Sequence, residues 1–273
     1  MSQPRKIVFY LDPGLRESAA QGAHNFLGKI ADLGRAAGME IAFRDESEAA
    51  LSDPAREYAV VHMIAPPHEN AVTVRRAYFY PFWSIERTEK RWEFDVARAG
   101  FDPAAVPAKE AAGFARRWRQ KWFGDWTVGE RGHVYIALQG RLLEQRSFQS
   151  CTPLAMVEAV LEHDHTRAVV AGLHPKEHYD PGELAALEDL ATRNPRLTVR
   201  MGGMEDLLPG CDYVVTQNSS VGFAGYALRR PLVLFGRIDF HHIALKAYEI
   251  GAETPFAPRD HRPDFDAYLW WFP

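Results

Sequence analysis

Hydrophobic positions along the chain alternate between short apolar runs and longer stretches with a helical spacing. Apolar runs that predict buried strands occur at Lys6–Leu11, Glu40–Phe43, Tyr58–Ile64, His133–Leu138, Arg167–Leu173, Leu197–Met201, Tyr213–Thr216 and Leu232–Phe235. Between them, helices are predicted at Ser18–Ala37, Pro153–Glu162 and Gly182–Arg193. Strands that alternate with helices in this way predict βαβ units and an α/β fold built on parallel sheet.

The alternation falls into two series. Between them lies Pro66–Trp126, which is rich in aromatic and basic residues and lacks a clear strand pattern. This arrangement predicts two Rossmann-like domains that face each other across a cleft, one over residues 1–130 and the other over 131–273. Because the first series is short, a single doubly wound domain is the alternative.

Composition narrows the classes of protein that the chain can belong to. Its 273 residues are 47% hydrophobic and 25% charged, as in ordinary globular proteins, and the formal net charge of −4 argues against bulk binding of nucleic acid. The two cysteines, Cys151 and Cys211, form no metal-binding pair, which fits a reducing compartment. The apolar run at the N-terminus is too short for a signal peptide. We therefore expect a cytoplasmic protein that binds no nucleic acid.

The most informative segment is Thr216–Gly236, TQNSSVGFAGYALRRPLVLFG. A buried strand ends in Gln217-Asn218-Ser219-Ser220 and leads directly into a helix of small residues. The first backbone N–H groups of a helix have no partner within it and lie at the positive end of its dipole, so they favour an anion. This pattern predicts a phosphate-binding turn. The alternative is a helix cap alone, since Asn and Ser are common at that position.

A second polar loop, His174-Pro175-Lys176, follows the predicted strand Arg167–Leu173. Ligands of open α/β sheets bind beyond the carboxyl ends of the strands, so this loop and the Ser219–Ser220 turn are expected at the same edge. Together they would form a cradle for a phosphate or phosphodiester. Alternatively, His174 is a structural loop histidine and Lys176 is a solvated surface charge.

Three segments in this order resemble the capsular polysaccharide biosynthesis family. They are HPKE at His174–Glu177, NSSVGF at Asn218–Phe223 and RRPLVLFGRIDF at Arg229–Phe240. That family consists of glycosyltransferases related to the bacterial transferases of 3-deoxy-manno-octulosonic acid (Kdo), which use a CMP-activated sugar. The resemblance implies a GT-B fold in which residues 1–130 form the acceptor-side domain and residues 131–273 the nucleotide-sugar-binding domain. It also implies a cytoplasmic role in capsule or surface polysaccharide synthesis and a saccharide or glycolipid acceptor. It also implies that His174, Ser219 and Ser220 bind the donor.

One position departs from the family pattern. Where the family usually has a glutamate that binds ribose hydroxyls, this chain has Ala224. The sequence is therefore consistent with two functions. One is a glycosyltransferase that uses a CMP-sugar. The other is a catalytically degenerate nucleotide- or sugar-binding protein of the same fold, with a regulatory or scaffold role.

Further candidate site residues follow other strands. Gln139-Gly140-Arg141 comes after the first strand of the second series, where Gly140 permits close backbone approach and Arg141 could meet a sugar carboxylate or phosphate. Asp12 follows the first strand of the chain and is the candidate catalytic acid or base, with a capping role as the alternative. Neither a metal nor another cofactor is expected, because a CMP-sugar carries a single phosphodiester that protein donors can stabilise.

The middle section contains a basic, aromatic stretch at Gly113–Trp126, with Phe114, Trp118 and Trp122 on one helical face. An aromatic stripe with this spacing usually faces the protein interior while the basic residues are solvated. A basic amphipathic helix can also lie in a membrane interface. Peripheral contact with the inner membrane is therefore a further possibility.

Overall fold

A computed structural model describes residues 6–124, 126, 129, 132–249 and 258–273. The chain forms two compact units, Met1–Arg98 with Pro273, and Ala99–Phe272. The predicted boundary between residues 130 and 131 lies outside the described residues. Each unit has its own mainly parallel sheet, so the prediction of two α/β units is confirmed and the alternative of a single doubly wound domain is wrong.

The first unit contains a five-stranded sheet in the order β2-β1-β3-β4-β5. Only β5 among these strands runs antiparallel to its neighbour. The strands are Lys6–Leu11 (β1), Glu40–Asp45 (β2), Tyr58–His62 (β3), Ala71–Arg76 (β4) and Trp83–Glu86 (β5). The helices are Pro13–Ala20 (α1), Asn25–Ala36 (α2) and Asp95–Arg98 (α3).

Two predictions for this unit were wrong in detail. The single helix predicted over Ser18–Ala37 is two helices, because the chain turns at Gly22, where φ is +72°, and restarts at His24, whose Nδ1 caps α2. The section predicted to lack strands contains β4 and β5. Such short strands are stabilised by pairing with their neighbours in the sheet, and a single-chain pattern does not record that pairing.

The second unit contains a six-stranded sheet in the order β11-β10-β9-β6-β7-β8, with every neighbouring pair parallel. The strands are His133–Ala137 (β6), Ala168–Leu173 (β7), Leu197–Met201 (β8), Cys211–Thr216 (β9), Leu232–Leu234 (β10) and Leu245–Lys246 (β11). The helices are Ala108–Phe123 (α4), Pro153–His163 (α5), Pro181–Arg193 (α6), Met204–Leu207 (α7), Ser220–Ala227 (α8) and Phe265–Trp271 (α9). Counted within this unit, the strand order is 3-2-1-4-5-6, the order of dinucleotide-binding domains.

Buried residues of the central strands form the core of the second unit. All five residues of β6 are buried, and its aliphatic side chains pack with those of α5 and α6. Six of the eight residues of α8 are buried, which explains its small and apolar sequence. The helix that carries the predicted phosphate-binding turn is therefore embedded in the core at a fixed position.

Charged and polar side chains link neighbouring elements at the amino end of the second sheet. The buried carboxylate of Asp164, after α5, accepts hydrogen bonds from Tyr213 Oη at 2.8 Å and Arg167 Nη1 at 2.9 Å. Arg167 Nε also donates to Asp212 at 2.6 Å. Burial by itself raises the pKa of Asp164, but the hydrogen bonds from Tyr213 and Arg167 outweigh it and the net pKa is lowered. These contacts link α5, β7 and β9 at the end of the sheet opposite the His174 loop and the Ser219–Ser220 turn.

Helix α4 packs against α9. Arg119 on α4 donates to the carbonyl of Ala227 and pairs with Asp266, which also accepts from Arg229. The half-buried rings of the aromatic stripe stack along α4, with Trp118 and Trp122 centroids 5.4 Å apart. Within the described ranges, no helix combines the length and apolarity that a membrane span requires.

Candidate functional site

A cavity of about 490 Å³ opens at the carboxyl end of the second sheet. Its lining comes from β6 and β7 themselves and from the segments that follow β6, β7, β8 and β9: Tyr135, Ala137, Leu138, Gln139, Gly172, Leu173, His174, Pro175, Gly202, Gly203, Met204, Glu205, Asp206, Ser219, Ser220 and Val221. The chain leaves β6 toward β7 on one side and later places β9 on the other, so the cavity lies at the switch point of the strand order. His174 and the Ser219–Ser220 turn share this cavity.

The imidazole of His174 is oriented by its own loop. Its Nδ1 accepts a hydrogen bond from the backbone N–H of Lys176 at 3.2 Å, and its backbone N–H donates to the hydroxyl of Tyr179 at 2.7 Å. A ring nitrogen that accepts carries no proton, so the neutral imidazole has its proton on Nε2. His174 therefore presents an N–H donor at the cavity that it lines.

The start of α8 forms the second polar wall. Ser219 is the N-cap, and its Oγ accepts from the backbone N–H of Val221 at 3.3 Å. Its own backbone N–H donates to Thr216 Oγ1 at 3.3 Å, which holds the turn against β9. Ser220, the first residue of the helix, is exposed. Ser219 thus fills the capping role, whereas Ser220 and the helix dipole remain available to a ligand.

Carboxylates line the opposite side of the cavity, after β8. Glu205 and Asp206 lie on α7, and strands β8 and β9 are three positions apart in the sheet, about 14 Å at about 4.8 Å per strand. Asp206 contacts Arg200 at 3.4 Å, whereas Glu205 forms no ion pair or side-chain hydrogen bond with the described residues. Sequence reasoning missed both residues, because α7 is a single short turn.

Ala224, the position where the family usually has a glutamate, is 3% exposed and does not line the cavity.

Tyr135 and Gly172 shape the floor. A Cβ on Gly172 would lie 2.8 Å from Cε2 of Tyr135 and 3.1 Å from the carbonyl oxygen of Gly202, so only glycine fits beside this ring. Burial raises the pKa of Tyr135 to about 12, and its hydroxyl stays protonated at neutral pH. It can therefore act as a hydrogen-bond donor at the cavity floor.

The other predicted donor-binding residues divide into two groups. Gln139 and Pro175 line the cavity, but Gly140, Arg141, Lys176, Gln217 and Asn218 do not. Arg141 instead pairs with Glu144 at 3.2 Å on the surface, and Lys176 is exposed. Gln217 is buried and donates through Nε2 to the carbonyl of Cys151 at 2.8 Å.

A small polar crevice adjoins the cavity through shared lining residues Ala137 and Gln139. Arg146, Gln149 and Gln217 border it. Each has a buried polar atom without a hydrogen-bond partner among the described residues, Nε of Arg146, Nε2 of Gln149 and Oε1 of Gln217. Unsatisfied buried polar atoms are uncommon and costly, so their grouping beside a cavity marks a polar extension of it. The sequence contains no motif that identifies Arg146.

Asp12, the predicted acid or base, belongs to the first unit. It caps α1 by accepting from the backbone N–H of Leu15 at 3.0 Å, as the alternative interpretation expected. Its other carboxylate oxygen lies 3.8 Å from Nδ1 of His62. Among the described residues, no cluster of three or more His, Cys, Asp or Glu side chains could hold a metal ion.

Comparison with known proteins supports the fold. No family model and no curated protein sequence matches the chain. The solved β-Kdo 2,7-transferase of KpsC from Thermosulfurimonas dismutans matches over 97% of this chain and 88% of its own, with 13% identity and a TM-score of 0.53. The β-Kdo 2,4-transferase of KpsC matches over 97% and 89%, with 12% identity and a TM-score of 0.54. At this identity the likeness shows the fold alone, which is a GT-B-like α/β fold.

Proposed function

We propose that this protein is a glycosyltransferase that transfers a sugar from a CMP-activated donor, Kdo being the sugar that the resemblance favours, in capsule or surface polysaccharide synthesis. The observation that carries the proposal is the cavity of the second unit, where His174 and the start of α8 meet at the switch point of a 3-2-1-4-5-6 sheet. The shared fold with Kdo transferases supports the same class of activity.

The phosphate of the donor would bind between His174 Nε2 and the amino end of α8. Both offer N–H donors, and the dipole of α8 adds positive potential, so the site favours an anion without a metal. The same groups would stabilise the charge that develops on the departing CMP phosphate. Lys176, although outside the cavity lining, is two residues from His174 and adds a positive charge to this loop.

The ribose would bind at the side of Glu205. Carboxylate oxygens accept hydrogen bonds from vicinal hydroxyls, and the carboxylate of Glu205 has no ion-pair partner among the described residues. Glu205 would then replace the carboxylate that Ala224 lacks. A cavity with N–H donors on one side and carboxylates on the other matches the polarity of a nucleoside monophosphate.

The sugar carboxylate of a Kdo-like donor would meet Arg146 in preference to Arg141. The guanidinium of Arg146 borders the crevice beside Gln139 and has an unpartnered Nε, whereas Arg141 pairs with Glu144 at the surface. Guanidinium groups bind carboxylates through paired hydrogen bonds. Gln139, which lines both spaces, would contact the donor between its phosphate and its sugar.

Thermal denaturation in the presence of CMP, UDP or GDP tests the nucleotide. A ligand that binds only the folded state raises the melting temperature by mass action, and we expect the largest rise with CMP. Equal or absent shifts with all three nucleotides would contradict the proposal. His165 is exposed and does not line the cavity, so His165→Ala serves as the control and should respond to CMP as the wild type does.

Ala224 favours a second candidate, a nucleotide- or sugar-binding protein without transferase activity. Turnover separates the two, since only a transferase releases CMP from CMP-Kdo in a manner that depends on the acceptor and exceeds the rate of hydrolysis without protein. Binding of CMP without its release from CMP-Kdo, in the presence of saccharide acceptors, would favour the regulatory or scaffold role. Acceptor-dependent release of CMP, with the sugar recovered on the acceptor, would establish the transferase.

The proposed place of action is the cytoplasmic face of the inner membrane, with a saccharide or glycolipid as acceptor. A surface cavity of about 500 Å³ is lined by Phe114, Arg116, Arg117 and Trp270 together with Glu110 and Gly113. Arginine and aromatic side chains together suit the interface of an anionic bilayer. Sedimentation with phosphatidylglycerol vesicles, weakened in Arg116→Glu/Arg117→Glu, tests this contact, and unchanged sedimentation of that variant would contradict it.

A further inference from the structure

Two polar groups at the floor of the cavity in the second unit form no hydrogen bond with the described residues. One is the hydroxyl of Tyr135, a residue that is only 3% exposed. Its oxygen is not fully enclosed by protein, so a ligand in the cavity can reach it. The other is the backbone carbonyl of Gly202, directly after β8. Buried polar side chains are rarely left unpaired, so this pair points to a ligand that supplies the missing partners.

Gly172 on β7 brings the two groups together. A Cβ at this position would lie 3.1 Å from the hydroxyl oxygen of Tyr135 and 3.1 Å from the carbonyl oxygen of Gly202. Because glycine has no side chain, the tyrosine ring can extend from β6 over β7. The hydroxyl and the carbonyl therefore approach the same point of the floor, although they come from the strands on either side of β7.

The position of the carbonyl is fixed by the backbone. Gly202 and Gly203 have φ values of +67° and +89°, in the left-handed region that favours glycine. The N–H of Gly202 donates to the carbonyl of Leu173 at 2.8 Å, which holds the turn to the end of β7. The carbonyl oxygen of Gly202 is thus a preformed hydrogen-bond acceptor at the cavity floor.

These two groups differ in their hydrogen-bonding chemistry. The carbonyl of Gly202 can only accept, whereas the hydroxyl of Tyr135 can donate because burial raises its pKa to about 12 and keeps it protonated. A ligand that satisfies both has a donor beside an acceptor. Among nucleobases, cytosine offers its N4 amino group beside N3, and adenine its N6 amino group beside N1. Uracil and guanine present a carbonyl oxygen beside an N–H instead.

We propose that Tyr135 and Gly202 bind the base of the donor nucleotide and select cytosine, the Tyr135 hydroxyl donating to N3 and the Gly202 carbonyl accepting from the N4 amino group. This inference rests on the proposed transferase function, which supplies a cytidine nucleotide. Uracil would set its O4 against the carbonyl oxygen, with repulsion in place of a hydrogen bond. Tyr135 is therefore a specificity-determining residue.

The depth of the groups in the cavity agrees with this placement. Tyr135 is almost completely buried, whereas Ser220 and Glu205 are exposed. The base would then lie deepest, with the phosphate and the ribose nearer to the opening. Binding sites of small molecules commonly have this arrangement, in which a few polar groups fix the orientation of an otherwise enclosed ring.

Ligand analogues test the carbonyl of Gly202, which no substitution can remove. In titration calorimetry, CMP should bind most tightly. Pyrimidinone riboside monophosphate lacks the amino group but keeps N3, so it should bind about 10-fold more weakly than CMP. UMP should bind about 100-fold more weakly, because its O4 also repels the carbonyl. Equal affinity for CMP and its pyrimidinone analogue would overturn the role of Gly202, and tighter binding of AMP than of CMP would overturn the assignment of cytosine.

Tyr135→Phe tests the hydroxyl while it keeps the ring. The affinity for CMP should fall about 10-fold. The affinity for ribose 5-phosphate, measured by its competition with CMP, should not change, because that ligand has no base. A purely structural effect on the cavity would weaken both ligands. Tyr58→Phe, at the start of β3 and outside the cavity lining, is the matched control and should bind both ligands as the wild type does.

The outcomes separate this inference from the proposed function. Unchanged CMP affinity in Tyr135→Phe, or an equal loss for CMP and ribose 5-phosphate, would overturn the role of Tyr135 while CMP binding by the wild type still supports the transferase. Absence of CMP binding by the wild type would refute the proposed function, and the selection of cytosine with it.

Discussion

The backbone N–H of Lys176 lies 3.2 Å from Nδ1 of His174 and donates a hydrogen bond to it. This contact within one loop determines which ring nitrogen carries the proton, and it leaves Nε2–H as the donor of a histidine that lines the cavity. A lysine two residues away thus orients the histidine through its backbone, whatever its own side chain does.

Replacing His174 should weaken CMP binding. His174→Ala removes a hydrogen bond to a charged phosphate, worth about 1.5–3 kcal/mol, which corresponds to a loss of affinity of about 10- to 150-fold. Isothermal titration with CMP measures it, with His165→Ala as the matched histidine control on an exposed position. Wild-type affinity in His174→Ala would mean that the phosphate binds elsewhere.

Glu205 should confer a preference for ribose over deoxyribose. We expect the wild type to bind CMP more tightly than dCMP, because the carboxylate accepts from the ribose hydroxyls. Glu205→Gln should bring the two affinities closer together, mainly by weakening CMP binding. Glu162→Gln, an exposed carboxylate variant on α5, is the control. An unchanged ratio of CMP to dCMP affinity in Glu205→Gln would exclude this role.

Substitution of the two serines of the turn should have different effects, one on stability and the other on CMP binding. Ser219 caps α8, so Ser219→Ala should lower the free energy of unfolding by about 0.5–2 kcal/mol. Ser220 is exposed and makes no cap, so Ser220→Ala should change stability by less than about 0.5 kcal/mol and reduce CMP affinity instead. Chemical denaturation and titration calorimetry on both variants check this, and a reversed order of effects would contradict the assignment.

Asp164 should make stability sensitive to acid without affecting the ligand site. The pKa of Asp164 is lowered in the folded state. Its contribution to stability is therefore fully present at pH values above its ordinary pKa of 3.8, and it is lost as the pH falls through the lower pKa of the folded state. Asp164→Asn should be less stable than the wild type at neutral pH by about 1–3 kcal/mol, with the difference shrinking at acidic pH. Urea denaturation across pH measures it. CMP affinity should not change, because Asp164 lies at the opposite end of the sheet.

Donor cleavage should proceed without a divalent metal. The phosphate charge would be stabilised by His174 and the start of α8, and a single phosphodiester needs less compensation than a diphosphate. Acceptor-dependent CMP release from CMP-Kdo, measured above the rate without protein, should therefore continue in excess EDTA. Abolition by the chelator, with recovery on adding Mg²⁺, would refute the mechanism.

The sequence by itself determined the alternation of strands and helices and the two loops that carry the phosphate-binding groups. These features are local: buried parallel strands are short apolar runs, His174 comes directly after one of them, and Ser219 is the third residue after another. Since parallel strands share one carboxyl edge, the meeting of the two loops could also be inferred before the structure.

Only the tertiary structure decided which side chains join them. Glu205 and Arg146 reach the cavity and its crevice from segments without a recognisable motif, whereas Arg141, which the sequence favoured, turns to the surface and pairs with Glu144. His62 lies beside Asp12 because β1 and β3 are neighbours in one sheet, although 50 residues separate them along the chain. Strand order and the direction of a loop depend on pairing between distant segments, and a local sequence pattern carries no record of that pairing.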